Sequence, residues 1–343
     1  MDMIPREKSN AVARGLSQAF GTTTIDDVCR MTRGLSSDLV FRILVQGSPF
    51  LLRVMTRIDE RNDPTRLFTA MKAAADTGLA PRVWYTNIED GITIIDFVGT
   101  VPLSTSEALV RLPATLRRLH ALPPFPEALN YITAHKAFMW PFQSAILLPS
   151  SEIDEVFSRY AQVAAVYPRL DSDMVSCHND LKPENILFEG QRVWLIDWQA
   201  AFVNDRYFDL AIIANFVVNN DIEEKAFLEA YFGQPPDEYQ LARFFLMRQI
   251  MHVWYATVWL MLGSSGKPVD QSEKAPEFVE FHKRIWAGEI TLAGNEARVV
   301  YGRVHWERLL HNLRQARFEE SLRIVSDRHA REVGVRRLLP EAP

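Results

Sequence analysis

The 343-residue chain has only two cysteines, Cys29 and Cys177. Two are too few for a disulfide framework or a four-cysteine zinc site, so a reducing cytoplasm is the expected compartment. A basic excess is also lacking. The 38 Lys and Arg stand against 43 Asp and Glu, a net charge of −5, which is the wrong balance for gripping a nucleic-acid backbone. No apolar run reaches the roughly 20 residues that a membrane span needs. The most apolar stretch, 250–262, is shorter and contains His252. The opening Met1-Asp2-Met3-Ile4-Pro5-Arg6-Glu7-Lys8 has no apolar secretion core. There is no G-x-G-x-x-G, no internal repeat and no low-complexity tract. Neither nucleic acid nor membrane is an expected partner.

What is present is a folded-protein composition, 48% hydrophobic and 24% charged, long enough for one large domain or two lobes. Residues 6–20 predict a short amphipathic helix. Leu39–Val45 and Phe50–Met55 are strand-forming runs joined by Gln46-Gly47-Ser48-Pro49, a hairpin. Residues 64–77 return to helical spacing through Leu67, Ala70, Met71 and Ala74, and Gly78 stops it. Two more strands, Val83–Tyr85 and Ile92–Phe97, flank the turn Glu89-Asp90-Gly91. Beyond Gly99 the pattern is mainly helical: 104–121, 152–165, 206–219, 222–232, 237–262, 276–287 and 297–324, with fraying expected after Arg328. Only the short strands 186–188 and 193–196 interrupt it. Sheet first and helices after is an α+β plan, not alternating βαβ. It predicts a small sheet-rich lobe over 1–98 and a helical lobe over 99–343.

One stretch carries chemistry: Cys177-His178-Asn179-Asp180-Leu181-Lys182-Pro183-Glu184-Asn185, followed twelve residues later by Asp197 in Trp194-Leu195-Ile196-Asp197-Trp198. Phosphoryl transfer needs a carboxylate to orient the attacking hydroxyl and accept its proton, and hard oxygen ligands for Mg²⁺. Asp180 suits the first task, and the oxygens of Asn185 and Asp197 suit the second. A loop followed by a returning strand pair can bring all three to one cleft.

These motifs, with Asn204-Asp205-Arg206-Tyr207-Phe208-Asp209-Leu210-Ala211, resemble the kinase-like small-molecule phosphotransferases, the aminoglycoside phosphotransferase and choline kinase-like superfamily. The resemblance implies a protein-kinase-like two-lobe fold with 1–98 as the nucleotide-binding lobe, ATP and Mg²⁺ as cofactors, and a small-molecule hydroxyl as acceptor. It makes Asp180 the catalytic base and Asn185 and Asp197 the metal ligands. His178 and Asp209 become supports of the catalytic loop.

In the first lobe the resemblance sets Gly34, Ser36 and Ser37 in a phosphate loop ahead of the strand at Leu39, where an ordinary turn is the other reading. Arg53 falls where the family has its phosphate-contacting cation, and Arg forks onto two oxygens where Lys offers a point charge. The helix carboxylate that usually pairs with this cation has no clear counterpart, because Leu67 takes its place. Glu60 and Asp63 are the nearest upstream acids, and Glu60 is assigned as the partner. Ile94-Ile95-Asp96-Phe97-Val98 resembles the hinge, with the Asp96 carbonyl and the Val98 N–H facing adenine.

Choline kinases follow the metal-binding Asp with an aromatic residue and a Glu, whereas this chain has Trp198 and Gln199. Gln199, Trp254, Tyr255 and Trp259 are acceptor-site candidates. His252, Tyr255 and Trp259 share a helix face, suited to an ammonium by cation–π contact, although such a stripe is more often packed core. Amino-alcohols, aminoglycosides and sugars all remain possible acceptors. A protein kinase is the alternative enzyme, opposed by Trp-Gln after Asp197 and by the lack of Ala-Pro-Glu. A catalytically silent nucleotide-binding protein is the alternative from another class.

Overall fold

The structure, a computed structural model, describes residues 3–31, 38–58, 64–126, 139–270, 272 and 274–338. Five strands form one antiparallel sheet: β1 (Asp27–Met31), β2 (Leu39–Val45), β3 (Ser48–Val54), β4 (Val83–Asn87) and β5 (Ile92–Asp96), in the order β1-β2-β3-β5-β4. The β2–β3 turn is tighter than its sequence suggests. Gln46 and Gly47 alone make it, both at positive φ, as a two-residue hairpin turn demands. Ser48 and Pro49 already belong to β3.

Alternation along β2 and β3 gives the sheet two unlike faces. Phe41, Ile43, Val45, Phe50, Leu52 and Val54 are buried in one apolar cluster with Val12 and Leu16 of helix α1 (Arg6–Phe20). Gly15 lets α1 come this close, because a Cβ there would meet the Tyr85 ring at 2.9 Å. The opposite face, with Leu51, Arg53 and Ile95, turns toward the rest of the molecule. Helix α2 (Pro64–Asp76) buries Leu67, Ala70 and Ala74 in the larger cluster that contains the C-terminal helices.

Helix α3 (Thr105–His120) starts on a capping box between Ser104 and Glu107. After α4 (Ser150–Val166), strand β6 (Met174–Cys177) pairs with β9 (Phe202–Asp205), and between them the hairpin β7 (Ile186–Phe188) and β8 (Val193–Leu195) projects. Helices α5 (Arg206–Val217), α6 (Asp221–Phe232), α7 (Glu238–Ser264), α8 (Phe278–Trp286), α9 (Asn295–Leu313) and α10 (Ala316–Leu338) complete the fold. Three expectations change. Strands β1, β6 and β9 were not foreseen. The single helix expected over 297–324 is two, broken at 314–315. Residues beyond Arg328, expected to fray, continue as helix to Leu338.

Candidate active site

The site begins with the two hairpin strands. Ile186 pairs with Leu195, and the Ile196 N–H donates to the Asn185 carbonyl at 3.0 Å. That register puts Asn185, at the end of the short helical turn 183–185, beside the segment that delivers Asp197. Asp197 has φ of +66°, a left-handed conformation that a short polar side chain tolerates. The chain reverses there instead of extending β8.

Asp180 sits at the loop between β6 and β7. Its Oδ2 accepts from Lys182 Nζ at 2.9 Å and from Asn185 Nδ2 at 3.0 Å. The same Asn185 amide donates to the Asp180 carbonyl at 2.7 Å. Oδ1 has no donor among the described residues, and the side chain is 37% exposed. An oriented carboxylate with one oxygen open can receive a proton from a hydroxyl. Because its amide N–H₂ is committed, Asn185 keeps Oδ1 as its available ligand atom. Burial would lower the Lys182 pKa, but the charges of Asp180, Asp197 and Glu184 outweigh it and hold the ammonium above its ordinary range.

The loop's backbone is clamped from below. Asp209, in the first turn of α5 and fully buried, accepts the N–H of His178 through Oδ2 and that of Asn179 through Oδ1, both at 2.8 Å. His178 Nε2 donates to the Ile196 carbonyl at 2.8 Å, which leaves Nδ1 to accept from the Asp180 N–H at 3.3 Å. This one ring therefore ties the Asp180 loop to the Asp197 segment. Asn179, at φ +63°, donates to the Ala200 carbonyl at 3.0 Å and accepts from Asn204 Nδ2 at 2.7 Å.

Among the described residues, His120, Cys177 and Asp209 bring potential metal-ligand atoms within 4.8 Å of one another. They read better as further support. Both Asp209 oxygens already hold backbone N–H groups. Burial and the charges of Asp209 and Asp205 push the Cys177 thiol pKa well up, so it stays protonated. His120 bridges Tyr231 Oη at 2.7 Å and Asp209 at 3.2 Å.

Arg53, across the cleft, donates from Nε to Asp38 Oδ2 at 2.8 Å and reaches Asp197 Oδ1 from Nη1 at 3.3 Å. Gly34, Ser36, Ser37 and Glu60 lie outside the described residues. Arg53 thus finds its carboxylates, among the described residues, at Asp38 and Asp197. Asp96 ends β5, where its side chain accepts from Trp84 Nε1 at 2.7 Å. The Val98 N–H makes no backbone hydrogen bond among the described residues.

Gln199 lies at the same crossing. Its carbonyl accepts from Arg66 of α2 at 2.6 Å, and its amide approaches Asp38 at 3.5 Å. Trp254, Tyr255 and Trp259 are partly buried on α7. Tyr255 and Trp259 meet the Tyr301 ring of α9 at 5.8 and 5.6 Å. Burial, then the charges of Glu184 and Asp180, push the Tyr301 hydroxyl pKa well up. This ring group is therefore within electrostatic reach of the Asp180 loop.

Sequence reading missed Asp38, His120, Lys182, Asn204 and Tyr301. Asn204 and Lys182 stand inside the motifs. The others have no local signal, because their partners are 15 to 121 positions away.

Residues 27–245 match the model of the phosphotransferase enzyme family. Protein LicA of Haemophilus influenzae is 32% identical over 95 residues, a stretch covering 26% of this chain and only 28% of that relative. A solved choline/ethanolamine kinase family protein from Mesorhizobium loti superposes with a TM-score of 0.65 at 20% identity, covering 93% of this chain and 98% of its own. A gentamicin–APH(2″)-IIa complex gives 0.56 at 13% identity over 86% of this chain and 99% of its own. At such identities these structures share the fold, a small antiparallel sheet joined to a larger helical portion.

Proposed function

Because the chain belongs to the phosphotransferase enzyme family, we propose that it transfers the γ-phosphate of ATP to a hydroxyl of a small molecule. The observation that carries this reading is that Asn185 bonds Asp180 and, through the Ile196 N–H, lies beside the segment that delivers Asp197, while Asp209 fixes the backbone of the Asp180 loop. In this reading Asp180 Oδ1 orients the acceptor hydroxyl and takes its proton. Lys182, bonded to Oδ2, holds the carboxylate in place. Asn185 Oδ1 and the Asp197 carboxylate are hard oxygen donors that fit Mg²⁺. The ion would supply charge neutralisation on the phosphate oxygens. Arg53 contributes a second cation on the sheet side. The Asp96 carbonyl and the Val98 N–H offer the edge for adenine.

The acceptor enters from the helical side, where Tyr255 and Trp259 meet the ring of Tyr301, whose hydroxyl feels the charge of Asp180. Aromatic faces favour an amino-alcohol or another ammonium-bearing alcohol over an uncharged sugar. The mildly acidic helical portion, with 31 acidic and 26 basic residues over 99–343, agrees.

A screen of amino-alcohols, aminoglycosides and sugars for ATP consumption tests the acceptor class. With the acceptor found, Asp180→Asn should lower turnover by about 10²–10⁴-fold, the usual worth of a general base, with Mg·ATP affinity largely kept. Turnover equal to that of the parent would remove Asp180 from its role.

A further inference from the structure

The cation at Arg53 has an unexpected partner. Val40 pairs with Arg53 across β2 and β3. Asp38 lies two residues before Val40, so it occupies the same face of the sheet as a diagonal neighbour of Arg53. Its Oδ2 accepts from Arg53 Nε at 2.8 Å and from Nη2 at 2.7 Å. The two side chains are only 7% and 14% exposed. Charges this far from water require a partner and a fixed geometry.

The division of the guanidinium matters. Asp38 takes the Nε and Nη2 edge. The Nη1 edge is left facing the cleft, where it meets Asp197 at 3.3 Å. A lysine has three rotatable donors on one point charge, so a carboxylate on one side would not fix where the others point. We propose that Asp38 is the positioning residue for Arg53: from the start of β2 it holds the guanidinium plane so that Nη1 points at a nucleotide phosphate. The inference rests on reading Arg53 as the phosphate-contacting cation. It places a pairing carboxylate on the sheet itself, whereas the expected Glu60 lies outside the described residues. Orientation then depends on β2–β3 register and not on the placement of a helix. Without Asp38 the guanidinium has Asp197 as its remaining carboxylate among those described, and it competes there with Mg²⁺.

Calorimetry on the full chain tests this with no acceptor required, using Mg·ATP and adenosine as probes. Arg53→Ala tests the premise and should weaken Mg·ATP binding while sparing adenosine, which has no phosphate. Asp38→Asn should also weaken Mg·ATP, by about tenfold, the low end for losing a group that orients a ligand-contacting residue. It should spare adenosine, raise the Mg²⁺ concentration needed for ATP binding, and add less than about twofold when combined with Arg53→Ala. A purely structural role would instead weaken both probes or add in full to Arg53→Ala. If Asp38→Asn does not fold, Asp38→Glu keeps the charge but moves it by one methylene, and it should weaken Mg·ATP more than twofold. Arg53→Ala with unchanged Mg·ATP affinity would sink the reading beneath, and the proposal with it. A weakened Arg53→Ala beside Asp38 variants that bind Mg·ATP like the parent would overturn the proposal alone.

Discussion

Single side chains in this site do several jobs at once, and their geometry explains why substitutions there should be costly. Asp209 is the clearest case, since its two oxygens separately cap the N–H groups of His178 and Asn179. A carboxamide has one acceptor oxygen where two are in use. Asp209→Asn should therefore leave one buried donor unpaired and cost about 1–3 kcal/mol, read as a lower urea midpoint with unchanged slope. An unchanged midpoint would mean the loop finds another partner. Asp180, Asn185, Asp197 and Asp209 could be picked out from motif order because all are local to residues 180–209. Asp38 and His120 could not, since what makes them matter is a register or a helix crossing that brings distant positions together.

The helical elements place an unusual polar group inside the larger core. His252 on α7, His282 on α8 and His305 on α9 are buried and linked in series. The bonds run from His252 Nδ1 to His305 Nδ1 at 2.9 Å and from His282 Nε2 to His305 Nε2 at 3.3 Å. His282 Nδ1 must donate to the Phe278 carbonyl at 2.7 Å, which fixes the direction of the whole chain. His305 donates to His282, His252 donates to His305, and His252 Nε2 is left as a buried lone pair without a donor among the described residues. Burial, with the charges of Arg248 and Arg308 against the opposing pull of the Phe278 carbonyl, pushes His282 down to about 3. Burial with Arg248 also drives His252 and His305 well below their ordinary value.

The sign of the pH effect follows. Above about pH 6.5 these rings are neutral whether folded or unfolded. Below it the unfolded chain takes up protons that the folded chain refuses, so stability falls, by at most about 1.4 kcal/mol per pH unit for each ring. The loss should run from about pH 6.5 toward the folded-state value near 3 for His282. Thermal melts across that window check it, and His305→Asn should flatten the dependence. An equally steep profile in that variant would place the acid sensitivity elsewhere. Most of the long helices were visible in the sequence as extended runs free of internal Gly-Pro turns. The three missed strands are short and lack alternation, and the break at 314–315 contains neither Gly nor Pro to announce it.

At the scale of the molecule, one core binds α1 to the sheet and the other gathers α2 with the C-terminal helices. Polar contacts stitch the two portions together around the cleft. Arg53 reaches Asp197, Arg66 reaches the Gln199 carbonyl, and the Leu195 N–H donates to the Leu79 carbonyl at 2.8 Å. A ligand that adds contacts to both sides stabilises the whole by mass action. Mg·ATP at a hundred times its dissociation constant should contribute about 2.7 kcal/mol and raise the melting temperature. Asp197→Ala should remove the Mg²⁺-dependent part of that rise. A melting temperature indifferent to Mg·ATP would argue against nucleotide binding in the cleft.

The sequence by itself determined the α+β plan and the order of the chemistry-bearing residues, because hydrophobic period and motif spacing are local properties of the chain. Tertiary structure alone decided that Arg53 pairs with Asp38, that His120 backs Asp209, and that three histidines from three helices form one hydrogen-bonded row. Those contacts depend on strand register and helix crossing, which arise only when distant segments pack.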